Sequence, residues 1–322
     1  MGIGLKRLGV LGTMVWDTIY GRDAEVEPVE EWGGICYALA ALEAELPDDW
    51  ELIPLIKVGS DLAPRANEFL RNLTHRAAAA RFVEVREPNN RVTLRYQALD
   101  RVAEHLSGGV PAWSWEELGP MVQDLDALYV NFISGFEMQL ETAHHLRHGF
   151  AGPIYADLHS LFLGVESDGR RIPQAVNDLS SWFSCFDVVQ LNEDEMALVG
   201  SDPLEVAARV LGAGVGLLIV TLGALGAVYF AAPSFTLFRH PQQQRWDTGT
   251  VSTARIPAAG VDNPLDPTGC GDVFGATTVS WLVREVGIEE AVRRANRSAA
   301  RNMSYRGATY LHHHLRGDIV RQ

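Results

Sequence analysis

Short, strand-like apolar runs alternate with helix-length patterns along most of this chain, and that alternation constrains the fold more than any other feature of the sequence. RLGVLGT (7–13) reads as a buried first strand, GGICYALAALEAEL (33–46) as a helix opening on two glycines, and ELIPLIKVGSD (51–61) as a returning strand that ends in a loop. A helical stretch around 64–73 precedes RFVEV (81–85) and RVTLRYQ (91–97), both β-rich. The second half repeats the pattern through ALYVNFI, LETAHHLRHG, PIYADLH, DVVQLN, EDEMALVG, LEVAARVLGAG, LLIVTLG and GAVYFA, and helical patterns at 272–286 and 289–303 close it. The expectation is an α/β fold around a mainly parallel sheet flanked by helices.

Two stretches, about 14–32 and 89–110, fit the alternation poorly and read as excursions from the sheet, a small lid on one large domain spanning 1–322. The best linker candidate, HLSGGVPAWSWEE (105–117), is short and carries Trp113 and Trp115, which favour packing over hinging. PQQQRWDTGT (241–250) reads as a polar loop, and LHHHL (311–315) as a solvated histidine cluster, because no cysteine or carboxylate neighbours it at ligand spacing.

Charge narrows the partners. A formal net charge of -14 argues against a nucleic-acid backbone or an anionic membrane surface, since long-range attraction to phosphate needs clustered Lys and Arg. A small ligand in an amide-lined pocket remains allowed. Cys36, Cys185 and Cys270 are odd in number and far apart, which suits reduced thiols. The opening MGIGLKRLGVLGT has too short an apolar run for a signal peptide, and no segment reaches the roughly 18 apolar residues of a membrane span, so a cytoplasmic protein is expected.

The chemistry concentrates in LDPTGCGDVFGA (265–276), where a glycine loop runs into an apolar helical pattern. A helix N-terminus presents unsatisfied N–H groups and the positive end of the helix dipole, so it attracts anions. Amides of Gly269, Cys270 and Gly271 can form an anion-binding nest, with Asp272 beside it as a base. That pair of functions is what phosphoryl transfer to a hydroxyl requires. The same residues also suit a plain glycine turn with the aspartate as a cap. There is no G-x-x-x-x-G-K-[ST] run and no protein-kinase set, and the first strand lacks the G-x-G-x-x-G of a nicotinamide enzyme.

DPTGCGDVFGA resembles the C-terminal signature of the ribokinase-like (PfkB) carbohydrate kinase family, D-T-x-G-A-G-D, with departures at Pro267 and Cys270. NEDEMALVG (192–200) resembles its N-x-x-E segment through Asn192 and Glu195, and VTLGALGAVYF (220–230) its T-x-G-x-x-G nucleotide segment through Thr221, Gly223 and Gly226. ANRSAA (295–300) falls where the family places the helix walling the adenine site, which makes Asn296 a candidate contact. Upstream, VLGTMVWDTIY resembles the first strand and its substrate-binding aspartate, here Asp17. WGGICYALAALEAEL and LIKVGSD resemble the N-terminal signature through Gly33, Gly34, Gly59 and Asp61, with Tyr37 where many members carry Asn. RVTLRYQ resembles the lid strand, with Arg91 or Arg95 as substrate neighbours.

The resemblance runs from residue 7 to about 308 and implies a doubly wound α/β domain with a small β lid. It implies ATP-dependent, magnesium-dependent phosphorylation of a sugar or polyol hydroxyl, with Asp272 as base and Gly269, Cys270 and Gly271 as anion hole. Asn192 and Glu195 would organise the metal through water, and Asp266, Thr268 and Gly307 would contribute to a monovalent cation (K+) site of the kind some members have. Asp17, Gly33 and Gly34 suit a polyhydroxylated acceptor. A nucleoside is the alternative, stacked by Tyr37, Phe132 or Tyr96. A catalytically idle binding or scaffold relative would show erosion of the base, glycine loop or N-x-x-E pair, and none is eroded. The resemblance also leaves room for a homodimer, since exposed lid strands pair between subunits in many members.

Overall fold

The computed structural model describes residues 4–20, 27–97, 100–238, 246, 249–261 and 264–318, and for 96–97 and 100–102 the backbone only. Most of the 241–250 loop lies outside the described residues.

Eight described strands form the central sheet. Its parallel part runs in the spatial order β14 (Leu217–Thr221), β13 (Val188–Asn192), β10 (Ile154–Asp157), β9 (Ala127–Asn131), β1 (Lys6–Leu11) and β4 (Trp50–Leu55). Antiparallel β15 (Ala227–Ala231) and β16 (Ser252–Ile256) extend the β14 edge. The alternation of side chains across a strand divides the core in two. Leu8, Val10, Tyr129, Tyr155, Val188, Leu217 and Ile219 face one layer, while Leu11, Leu128, Val130, Ala156, Val189, Leu218 and Val220 face the other.

Helices α1 (Ile35–Glu45), α2 (Ala63–Arg71), α8 (Cys270–Leu282), α9 (Ile288–Asn302) and α10 (Leu311–Arg316) contribute to the first layer. The second is covered by α3 (Trp115–Val122), α4 (Leu140–Gly149), α5 (Leu179–Phe183), α6 (Glu193–Val199) and α7 (Pro203–Gly212). Helices α1 and α8 pack on each other and are apolar almost all round, as befits helices enclosed by neighbours. Among the described residues no helix is long and apolar enough to cross a membrane.

The two excursions meet in a separate four-stranded sheet, ordered β3 (Val29–Gly34), β2 (Met14–Tyr20), β7 (Arg91–Gln97), β8 (Asp100–Ser107). Val15, Ile19, Val92, Leu94 and Leu106 form its own small core. Two short ribbons complete the molecule: β5 (Lys57–Gly59) beside β6 (Val83–Val85), and β11 (Leu163–Val165) beside β12 (Arg171–Pro173). The Gly33–Gly34 pair, expected to open a helix, instead ends β3, with Gly34 as the N-cap of α1 at φ 58. The V-G-S-D turn is structural: Asn89 Oδ1 accepts from Gly59 N–H, Asp61 Oδ1 accepts from Asn89 N–H, and Asp61 Oδ2 accepts from Arg91 at the start of β7.

Candidate active site

Asn131, Asp157, Asn192 and Thr221 end four neighbouring parallel strands, so sheet register alone brings them to one rim. Ligands of open α/β sheets bind outside these carboxyl ends. A cavity of about 430 Å3 opens there, bounded by strand ends, the lid and the glycine loop.

The loop is built tightly. Gly269 is the N-cap of α8 with φ 76, a conformation that favours glycine, and a Cβ there would lie 2.2 Å from Tyr37 Cγ. Tyr37 is buried beneath the loop, and its close packing against Gly269 makes it part of the loop's floor. Thr268 N–H and Oγ1 donate to Asp266 Oδ1 at 2.8 and 2.6 Å, and Asn302 Nδ2 donates to Thr268 O at 2.8 Å, so α9 braces the loop from behind. The Cys270 thiol donates to Ala299 O, and burial pushes it up to about 12, so it stays protonated. Cys270 N–H donates to Pro267 O at 3.2 Å, so an anion held by the amides of Gly269, Cys270 and Gly271 has to compete with this turn for the middle one.

Asp272 follows in the first turn of α8. Its Oδ1 accepts from Asn131 Nδ2 at 2.7 Å, which orients the carboxylate from the end of β9. Gln190 Nε2 donates to Gly271 O at 3.1 Å and to Asp157 Oδ2 at 2.7 Å, while Tyr155 OH donates to Gln190 Oε1 at 2.8 Å. A belt of sheet side chains therefore fixes the helix start. Gly275 permits the close approach, because a Cβ there would lie 2.7 Å from both Gln190 Oε1 and Tyr129 OH.

Asn192 and Glu195 form a reciprocal capping box on α6: Glu195 N–H donates to Asn192 Oδ1, and Asn192 N–H donates to Glu195 Oε2. Glu195 Oε1 also meets His159 Nδ1 at 2.5 Å. Burial, then the charges of Glu195 and Asp272, push the Asp157 carboxyl well above the usual carboxylate range, with His159 opposing them. Seven acidic side chains line the cavity (Asp17, Glu104, Asp157, Glu193, Asp194, Glu195 and Asp272), and no Lys or Arg does among the described residues. This crowding of acids suits a cation. Among the described residues no group of three or more His, Cys, Asp or Glu is placed to hold a metal ion by itself.

At the other end of the cavity Thr221, Gly223 and Gly226 come together with Asn296. Gly226 has φ 95, and a Cβ would lie 2.1 Å from Ile256 O. Asn296 Nδ2 is occupied in bonds to Ile256 O and Pro257 O at 3.1 and 3.0 Å, so it braces this wall. Asp266 and Gly307 do not line the cavity, although Thr268 does; a Cβ on Gly307 would meet Glu31 Cγ at 2.1 Å.

On the lid, Asp17 is buried, and Gly33 makes room for it: a Cβ on Gly33 would lie 1.7 Å from Asp17 Oδ2. Val92 and Leu94 of β7 face the cavity with Val15 and Ile133. Strand alternation therefore corrects the expectation for Arg95, which is exposed with its guanidinium 4.1 Å from the Tyr20 ring centroid, and for Arg91, which pairs with Asp61. Phe132 is likewise core, edge-on to Trp182 and Phe186, and the Tyr96 side chain lies outside the described ones. Asn131, Asp157, His159, Gln190 and Glu104 were not anticipated. A signal existed for Asn131 and Asp157, since each is the polar residue that ends an apolar strand.

The pfkB family carbohydrate kinase description matches residues 167–314. Solved structures match almost the whole chain. A pyrophosphate-dependent kinase in the ribokinase family, complexed with a pyrophosphate analog and myo-inositol, is 15% identical at a TM-score of 0.71, covering 94% of this chain and 97% of the other. The fold is ribokinase-like. Nucleoside kinase of Burkholderia thailandensis, in complex with inosine, is 18% identical at 0.68, with 94% and 93% covered. A putative ribokinase II from E. coli, in complex with ATP and Mg2+, is 16% identical at 0.66, with 95% and 94% covered. At these identities the likeness is one of fold. No curated protein matches this chain by sequence.

Proposed function

We propose that this protein is a cytoplasmic kinase that transfers a phosphoryl group from ATP to a hydroxyl of a small, uncharged sugar or polyol. The observation that carries the reading is Asp272, held by Asn131 at the start of α8 beside a glycine loop and in one cavity with Asp17. Asp272 accepts the proton of the attacking hydroxyl, and Asn131 keeps its carboxylate aimed. The amides of Gly269 and Gly271, at the positive end of α8, stabilise charge on the moving group. Asp17 accepts from acceptor hydroxyls, and the apolar lid face excludes water from them. Magnesium, held through water by Asn192 and Glu195, would neutralise the donor phosphates in a cavity that no Lys or Arg lines among the described residues. The acidic lining also disfavours acceptors that already carry a phosphate or carboxylate.

A nucleoside acceptor is the second reading, favoured by the apolar wall of Val15, Val92, Leu94 and Ile133, which suits a flat base. Pairing of two copies through the lid sheet completes the proposal; a dimeric mass in solution supports it and a monomeric one overturns it.

The test is a mass-spectrometric screen of pooled pentoses, hexoses, inositols and nucleosides with MgATP and, separately, magnesium pyrophosphate, with Asp272→Asn in parallel. A phosphorylated product that disappears in the variant supports the reading. Full turnover in a folded Asp272→Asn protein, or no donor binding at all, refutes it.

A further inference from the structure

A second cavity, about 720 Å3, shares no lining residue with the first. It lies between α2 and the 76–84 segment that leads into β6, and its lining holds Arg71, Arg76 and Arg81 against a single carboxylate, Glu84. Three arginines converging in a chain of net charge -14 call for a reason. Among the described residues none of them pairs with an acid; each is held by backbone carbonyls instead. Arg76 donates from Nε to Leu70 O at 3.0 Å and from Nη1 to Ala80 O at 2.7 Å. Arg81 Nη1 donates to the same Ala80 O at 2.8 Å and to Ala78 O at 2.8 Å, and Arg71 Nε donates to Asn67 O at 3.2 Å. Two guanidinium groups without a counter-ion therefore meet at one carbonyl oxygen. Burial and then the Arg81 charge hold Arg76 below its ordinary value.

We propose that this cavity binds a small organic dianion, a phosphate monoester or a dicarboxylate, with its charged end bridging Arg76 and Arg81, Arg71 at the rim, and its uncharged body on Leu70 and Phe82. Guanidinium groups match the paired oxygens of phosphate and carboxylate, and their bonds to carbonyls hold two of them in place before the ligand arrives, which reduces the ordering cost of binding. Leu70 and Phe82 supply an apolar floor that a bare inorganic ion does not use. The proposal does not depend on the phosphotransfer reading.

The experiment is calorimetric titration of the full chain, at fixed ionic strength, with glucose 6-phosphate, the dicarboxylate phthalate and inorganic phosphate. Arg71→Gln and Arg81→Gln are the variants, because both side chains are exposed and their loss leaves the carbonyl bonds of Arg76 intact; Arg209→Gln, on α7, controls for net charge. The expected result is binding of at least one organic probe more tightly than inorganic phosphate, weakened about tenfold or more by each variant and unchanged by the control. Which organic probe binds tells a phosphate ester from a carboxylate. Absence of binding by both organic probes, binding that survives both substitutions, or inorganic phosphate bound as tightly as either probe overturns the proposal.

Discussion

Gly269→Ala should destabilise the protein by about 2–5 kcal/mol, and the structure divides that cost into two parts. The backbone at φ 76 is left-handed, which costs a side-chain-bearing residue about 1–2 kcal/mol. The new methyl would also lie 2.2 Å from Tyr37 Cγ, at the root of a buried ring that cannot swing aside, and overpacking of that kind costs about 1–3 kcal/mol. A double-mutant cycle separates the two. Tyr37→Ala alone should cost about 3–5 kcal/mol through the cavity it leaves. In that background Gly269→Ala should cost only the backbone part, so the coupling is about 1–3 kcal/mol. Denaturant unfolding followed by circular dichroism measures all four corners. A cost below about 0.5 kcal/mol for Gly269→Ala, or additive single mutants, would refute the claim that Tyr37 and the left-handed turn together shape the loop.

Asp272→Asn should lower kcat by about two to four orders of magnitude without unfolding the protein, measured once an acceptor is in hand. Asn131→Ala removes a hydrogen bond to a charged group, so kcat of the folded variant should fall about tenfold to a hundredfold, measured at a temperature well below its own unfolding transition. Acceptors bearing a phosphate or carboxylate should show kcat/KM at least about a hundredfold below their neutral counterparts, because the cavity lining is acidic and, among the described residues, holds no Lys or Arg. For the buried Glu43 of α1, burial alone would raise the pKa, but hydrogen bonds from His75 and Thr74 and the His75 charge outweigh it and bring the carboxyl to about 2. A depressed folded-state pKa stabilises above the unfolded value of 4.5, and that contribution, on the order of 3 kcal/mol, is lost as pH falls from 4.5 towards 2. Glu43→Gln should therefore flatten the stability profile across that window in equilibrium unfolding.

Local pattern determined a good deal here. Strand and helix periods are written in neighbouring residues, so β1, β9, β10, β13 and β14, α1, α8 and α9 were legible, and so was the glycine loop, whose chemistry lies within eight consecutive residues. Strand β16 was not, since STARI has a polar, half-exposed pattern that pairs only because β15 is beside it. Tertiary structure alone decided the rest. Asn131 reaches Asp272 across 141 positions, and Gln190 joins Asp157 to Gly271, because register places strand ends side by side at distances that spacing along the chain does not encode. Arg95 and Val92 sit in one strand with the same local credentials. Which of them faces the cavity depends on how the lid sheet lies over the body, and that is settled by burying Val15, Ile19, Val92, Leu94 and Leu106 together, a choice only the folded chain can make.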